Sequence, residues 1–273
     1  IAHFAGVPTT RNLGNLFHPS YEIAPAELRR SLITLAVQGK LEPQDPNDEP
    51  AGELVAFIET ELTPEQRRRR GASLLPVSVE TEQYPLPFNW IWARFRDVAI
   101  ISSNLVNPAS FPNLIHLAPD NIEKGTGVLL RCSTVRADGV TSSNHRFYPG
   151  QIVYSKIRPN LSKVVVVDFE GLCSADMYPI AALIDPFYLQ LYMLSESFLT
   201  QAIKSDTRVA MPKINQMELN AIAVPVPPLA EQHRIVAKVE KLIGLLRVFE
   251  KQLAQSRIFR SNILAHLSNL SPN

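Results

Sequence analysis

Cysteine is nearly missing from this chain: Cys132 and Cys173 are its two copies, too few for a disulfide framework, and no Cys/His group has zinc-ligand spacing. A reducing, cytoplasmic setting is the expectation. Glycine is also scarce, 11 in 273 residues, and without a G-x-x-x-x-G-K-[ST] run there is no P-loop and no ATP motor. No stretch of about 18 apolar residues is present, and the start Ile1-Ala2-His3-Phe4-Ala5-Gly6 lacks the basic and apolar regions of a signal peptide. No membrane role is expected. Charged residues are few, 19% against about 25% in ordinary domains, and the net charge of +1 excludes a strongly basic nucleic-acid tail. Proline, by contrast, is plentiful at 22 residues, and 45% of the chain is hydrophobic, a globular value. The length suggests about two domains.

The small net charge hides an uneven distribution. Residues 1–84 hold 8 basic and 12 acidic side chains, net −4; residues 85–228 hold 12 and 11; residues 229–273 hold 7 and 3, net +4. Gly139 to Val167 contains no acid but carries Arg146, Lys156, Arg158 and Lys163, and a second acid-free run, Thr207 to Met217, carries Arg208 and Lys213. Screening limits a charge to about 8–10 Å, so a local basic face can bind phosphate on a nearly neutral protein. Solvated strand edges would give the same runs.

Apolar positions 28, 32, 35 and 36 after Pro25 form a helical stripe that Gly39 ends. The turn-rich run Pro43 to Pro50 leads to a second helix, expected over about Ala51 to Arg69 and closing in four arginines, Arg67 to Arg70, read as a solvated helix end. Residues 71–87 look like a boundary. Beyond it the runs 128–132, 151–157 and 163–167 read as strands. Asp185-Pro186 starts a helix carrying Phe187, Leu191, Leu194, Phe198 and Ala202, and Met211-Pro212-Lys213 opens a shorter one through Leu219. Ile235, Val239, Leu242, Leu246, Phe249 and Leu253 then repeat as a heptad in a helix from about Ala230 to Leu270, roughly 60 Å long. The expected fold is α+β in three parts: a helical region and linker (1–84), a mixed α/β domain (85–228) and a long coiled-coil helix (229–273). The heptad residues are its helix-pairing candidates.

No catalytic constellation survives inspection. Asp185-Pro186-Phe187-Tyr188 resembles the tetrapeptide with which DNA adenine methyltransferases hold their target amine, but the AdoMet loop that chemistry needs is missing, and a helix cap explains it better. Asp168 and Glu170 lack the acid-x-Lys partner of a metal-dependent nuclease. The six histidines form neither a metal pair nor a Cys/His pair.

Several stretches together resemble a known family. Pro225-Val226-Pro227-Pro228-Leu229-Ala230-Glu231-Gln232-His233-Arg234-Ile235-Val236 is similar to the entry of the long helix in type I restriction-modification specificity subunits. Gly150-Gln151-Ile152-Val153-Tyr154-Ser155-Lys156-Ile157-Arg158-Pro159-Asn160-Leu161-Ser162-Lys163 resembles a segment of their target recognition domains, as do Gly171 to Asp176 and Met211 to Asn215. Leu35 to Leu41 and Pro43 to Ala51 resemble their N-terminal run. The resemblance implies a subunit without chemistry of its own: a target recognition domain at 85–228 that reads double-stranded DNA, and a helix at 229–273 that spaces and pairs. It further implies DNA methyltransferase subunits docked on that helix and motor-nuclease subunits that restrict, with AdoMet and ATP held by these partners and no cofactor on this chain. The usual member has two recognition domains, whereas this sequence has one, which implies pairing with a second copy to form a two-part site; a piece of a longer product is the alternative.

Phosphate anchors and base readers are both required for sequence recognition. The candidates are Lys156, Arg158, Lys163, Arg208 and Lys213 in the acid-free runs, Asn160 and Asn215 beside them, and Arg131, Arg136, Asn144 and Arg146 in a polar stretch between strands. Lys156 and Arg158 lie in a stretch that family members share although they read different sequences, which favours a DNA-backbone or structural role for them and moves base reading to residues such as 100–146. A coiled-coil adaptor with a protein-binding α/β domain remains the competing reading.

Overall fold

The computed structural model describes residues 24–70, 77, 83–203 and 212–268, with side chains of the last helix described to residue 252 and at 255. They fall into two compact units, one of residues 32–242 and the other of residues 24–31 with 243–268. The boundaries expected at 84/85 and 228/229 both lie inside the larger unit.

Helix α1 (Pro25–Val37) begins at its proline and buries Leu32, Ile33, Ala36 and Val37. Gly39, at φ +66°, ends it where an added Cβ would lie 2.3 Å from Pro87. The expected second helix is two: α2 (Ala51–Glu61) and α3 (Pro64–Arg69). Proline cannot occupy a helix interior, so Leu62 turns extended and Thr63 restarts the chain with a capping box to Gln66. The arginine run is only partly solvated. Arg67 and Arg69 pair with Glu59 and Glu65 at the surface, but Arg70 is buried between Glu59 and Asp97 at 2.5 and 2.7 Å, and its hydrogen bond holds the Glu59 carboxyl below its ordinary value.

Strand β1 (Ile91–Arg94), helix α4 (Phe95–Val98), β2 (Ala99–Ile101), β3 (Leu105–Val106), β4 (Ile115–Leu117), β5 (Ser133–Thr134), β6 (Asn144–Phe147), β7 (Ile152–Ser155), β8 (Val164–Val166), β9 (Gly171–Cys173) and β10 (Met177–Ala182) follow. Then come α5 (Pro186–Leu194), α6 (Glu196–Ala202), α7 (Gln216–Ala221), β11 (Ala223–Val226) and α8 (Leu229–Ser268). The strands make a β1-β11 ribbon, a four-stranded sheet β2-β10-β7-β8 and a five-stranded sheet β3-β6-β9-β4-β5. Among the described residues β4 and β9 pair in parallel, with Ile115 opposite Gly171, and the other ladders are antiparallel.

The alternating apolar residues of the strands meet in a core of Leu117, Ile122, Phe147, Val153, Val165, Val167, Cys173 and Met177. The expected strand at 128–132 is reduced to one bridge, Ile122 to Leu129: its amides close a tight hairpin, with Glu123 N–H bonding Val128 and Leu130 N–H bonding Asn121. The helix expected over 186–202 is broken at Ser195, whose extended backbone ends α5 and whose hydroxyl caps α6. Asp185 caps α5 as expected, accepting from Phe187 and Tyr188 N–H at 2.9 and 2.8 Å. The 211–219 stretch differs from its reading: Lys213 bridges to Ile157, and α7 starts only after Asn215.

Three distant segments anchor the start of α8. Glu231 is buried and accepts from Gln44 Nε2 (2.7 Å) and from Trp90 Nε1 (2.9 Å). Gln232, fully buried, accepts from Asp185 N–H and donates to the Pro227 carbonyl. One turn on, Arg234 holds Asp48 through both guanidinium nitrogens, and Lys238 reaches Glu42 at 3.0 Å. Burial raises the Glu231 carboxyl above its ordinary value, opposed by the Trp90 and Gln44 hydrogen bonds.

Candidate nucleic-acid interface

Strand β7 leaves the four-stranded sheet at Ser155 and runs into a tight turn at Pro159–Leu161. Both strands of backbone beside it are pinned: Lys156 N–H bonds the Asp176 carbonyl, the Lys156 carbonyl accepts from Ile214 N–H, and Arg158 N–H bonds the Pro212 carbonyl at 2.9 Å. The Ile157–Lys213 bridge thereby joins the two acid-free runs of the sequence. Lys156, Arg158 and Lys213 come together there.

Each cation has a different environment. Lys156 Nζ sits 5.1 Å from the centre of the Tyr178 ring. Lys213 approaches Asp176 at 3.2 Å with both partners largely solvated. Lys163 is tied to Asp120 at 2.8 Å, and that bond, with the nearby Arg158 charge, lowers the Asp120 carboxyl below its ordinary value. Arg158 and Asn160 are exposed. His145 on β6 is buried: burial first, and the Lys156 charge second, push its imidazole towards the neutral form, and its Nδ1 accepts from Asn104 N–H.

Other candidates are placed elsewhere. Arg131 and Arg136 flank the edge strand β5, both exposed; their backbones are held by Asn121 Nδ2 on the Arg131 carbonyl and by Arg136 N–H on the Pro112 carbonyl. Arg146 is committed to the fold, paired with Glu170 and lying 4.7 and 5.2 Å over the Phe111 and Tyr148 rings. Asn144 is buried, donating to the Ser142 carbonyl, and Asn215 caps α7 by accepting from Glu218 N–H. Arg208 lies outside the described residues.

Of the heptad, Ile235 and Val239 are buried within the chain itself at 0% and 1% exposure, so they present no surface to a second helix. Leu242 and Leu246 are half-buried, Phe249 is exposed together with Leu245 and Val248, and the Leu253 side chain lies outside the described set. Reading the sequence missed the buried Trp90–Glu231 pair and its link to the exposed Gln44; nothing in the polar run Glu231-Gln232-His233-Arg234 marks which of its side chains are buried.

A general site for chemistry does not emerge. Among the described residues no three His, Cys, Asp or Glu side chains group as metal ligands, and no helix is long and apolar enough to cross a membrane. His116 pairs with Asp138 at 2.8 Å, but burial and the Asp138 charge raise the neighbouring Cys132 thiol, the wrong direction for a nucleophile.

Residues 118–255, which span the cation cluster and the start of α8, match the family described as the type I restriction modification DNA specificity domain. The chain belongs to that family. It is 42% identical over 245 residues to the type I restriction enzyme EcoDI specificity subunit of Escherichia coli, covering 89% of this chain and 50% of that protein. With the EcoEI specificity subunit of the same organism the identity is 28% over 250 residues, 83% of this chain and 40% of the relative. The chain thus spans about half the length of the curated relatives it matches. Two solved structures share its fold, each over 70% of this chain and 51% of theirs. One is from work on complex assembly and conformational transition of the type I R-M system (TM-score 0.61, 23% identity). The other is the HsdS subunit from Thermoanaerobacter tengcongensis (TM-score 0.59, 22% identity).

Proposed function

We propose that the chain is the DNA-reading component of a type I restriction-modification complex, directing adenine methylation and restriction to a two-part site without chemistry of its own. What carries this reading is the coincidence of the family match with the place where Lys156, Arg158 and Lys213 converge on a pinned backbone. Double-stranded DNA, DNA methyltransferase subunits, motor-nuclease subunits and a second copy of the chain are its partners; AdoMet and ATP belong to the enzymatic subunits. Residues 85–228 act as the target recognition domain, with Arg131 and Arg136 as base readers because their side chains are exposed and their backbones fixed. Pairing runs along α8 as a coiled coil through Leu242, Leu246, Phe249 and Leu253, since Ile235 and Val239 are already buried. The test is methylome sequencing of cells with and without the gene. Loss of one two-part methylated motif is expected; an unchanged methylome overturns the proposal.

A further inference from the structure

Two non-glycine residues among those described have positive φ, Arg158 (φ 48°) and Ser162 (φ 46°), and they bracket the Pro159–Leu161 turn. Left-handed backbone is disfavoured for any residue with a Cβ, and glycine removes the penalty. Ser162 is buried, so its side chain belongs to the packing of the turn. Arg158 is exposed, and its guanidinium makes no hydrogen bond or ion pair among the described residues; its one recorded neighbour is the Asp120 charge, already bonded by Lys163. Among the described residues the fold thus gains no contact from an arginine where a glycine would sit more easily.

What surrounds Arg158 is rigid. Its N–H is held by the Pro212 carbonyl, its carbonyl accepts from Leu161 N–H, and Ser155 bonds the Lys163 carbonyl behind it. Among the described residues Lys213 and Lys163 are each paired with a carboxylate, whereas Arg158 is not. A planar fork of donors on a fixed backbone suits the paired oxygens of a carboxylate or a phosphodiester, and on a DNA-reading domain the phosphodiester is the one presented.

We infer that Arg158 is kept in strained backbone because its guanidinium clamps a DNA backbone phosphate and so sets the register of the recognition domain on the duplex. This rests on the DNA-reading proposal above. It assigns to Arg158 a positioning role that is independent of which bases are read.

The full chain is compared with Arg158→Gly and Ser162→Gly by thermal unfolding and by fluorescence anisotropy on two labelled duplexes, one of mixed sequence and one enriched for binding to the unaltered chain. Arg158→Gly is expected to melt no lower than the parent and to lose roughly tenfold affinity on both duplexes alike, with a log–log salt slope shallower by about 0.9. Ser162→Gly is expected to bind as the parent does. Unchanged affinity and slope in Arg158→Gly, or a loss confined to the enriched duplex, overturns the phosphate assignment, the latter making Arg158 a base reader. Failure of the unaltered chain to bind either duplex, alone and with its methyltransferase subunit, overturns the DNA-reading proposal itself.

Discussion

Replacing Glu231 with glutamine keeps its shape and changes only which atoms accept. Both carboxylate oxygens of the parent receive a donor, Oε1 from Gln44 at 2.7 Å and Oε2 from Trp90 at 2.9 Å. An amide has one oxygen, so in either orientation its NH2 faces one of those N–H groups. With the amide oxygen on the Trp90 N–H, the exposed Gln44 amide turns over to accept from the new NH2. The change then exchanges two charge-assisted hydrogen bonds for neutral ones and should cost about 1 kcal/mol, which in a unit of this size lowers Tm by about 2–4 °C. Adding Trp90→Phe removes one of the facing donors, so the double variant should lose less than the sum of the single changes, measured as a double-mutant cycle in thermal unfolding. The pH dependence has a definite sign. Burial raises Glu231 above 4.5, so the folded chain holds this proton more tightly than the unfolded one. This group's contribution to stability is therefore full below 4.5 and declines as pH climbs through the raised value. Glutamine does not titrate, so the gap between parent and variant should narrow over that acid window. A Glu231→Gln chain as stable as the parent throughout the window would refute the argument.

Arg146→Ala should lower stability by about 1–2 kcal/mol through loss of the Glu170 pair and the stacking on Phe111 and Tyr148, while the folded fraction still binds DNA like the parent in titrations. Gly171→Ala places a methyl group 2.6 Å from the Ile115 carbonyl and 2.4 Å from the Phe147 ring, so a loss of about 1–3 kcal/mol is expected in denaturant melts. Replacing Arg131 and Arg136 together with alanine should shift which methylated motif appears in the methylome or abolish it, without lowering Tm. Leu246→Asp should separate paired copies in analytical ultracentrifugation; a variant that keeps the dimer mass would remove α8 from the pairing proposal.

Local chemistry was readable in the sequence where one residue decides the outcome. Asp185-Pro186 capped a helix because carboxylate and ring suit the first turn, and Gly39 stopped α1 because its φ is positive. The runs around 152–155 and 164–166 became strands because their β-branched residues are buried on both faces of one sheet. Periodicity failed where it ignored a breaker: Pro64 split one expected helix, and Ser195 split another. The cation site was visible as two acid-free runs, but not that a bridge between Ile157 and Lys213 joins them, since backbone pairing across 56 residues leaves no mark on composition. The fate of Arg146 was hidden for a similar reason: beside its neighbour Tyr148, its partners Phe111 and Glu170 come from two other segments.

The indole of Trp90 and its carboxylate acceptor are 141 positions apart. A ribosome adding about 5–20 residues each second therefore needs roughly 7 to 28 s between emitting the donor and emitting the group that satisfies it. All eleven described strands, from Ile91 to Val226, are emitted within that interval, so the sheets pair while the Trp90 N–H still lacks its acceptor. A chain cut short before Glu231 would leave that indole N–H without its acceptor for good.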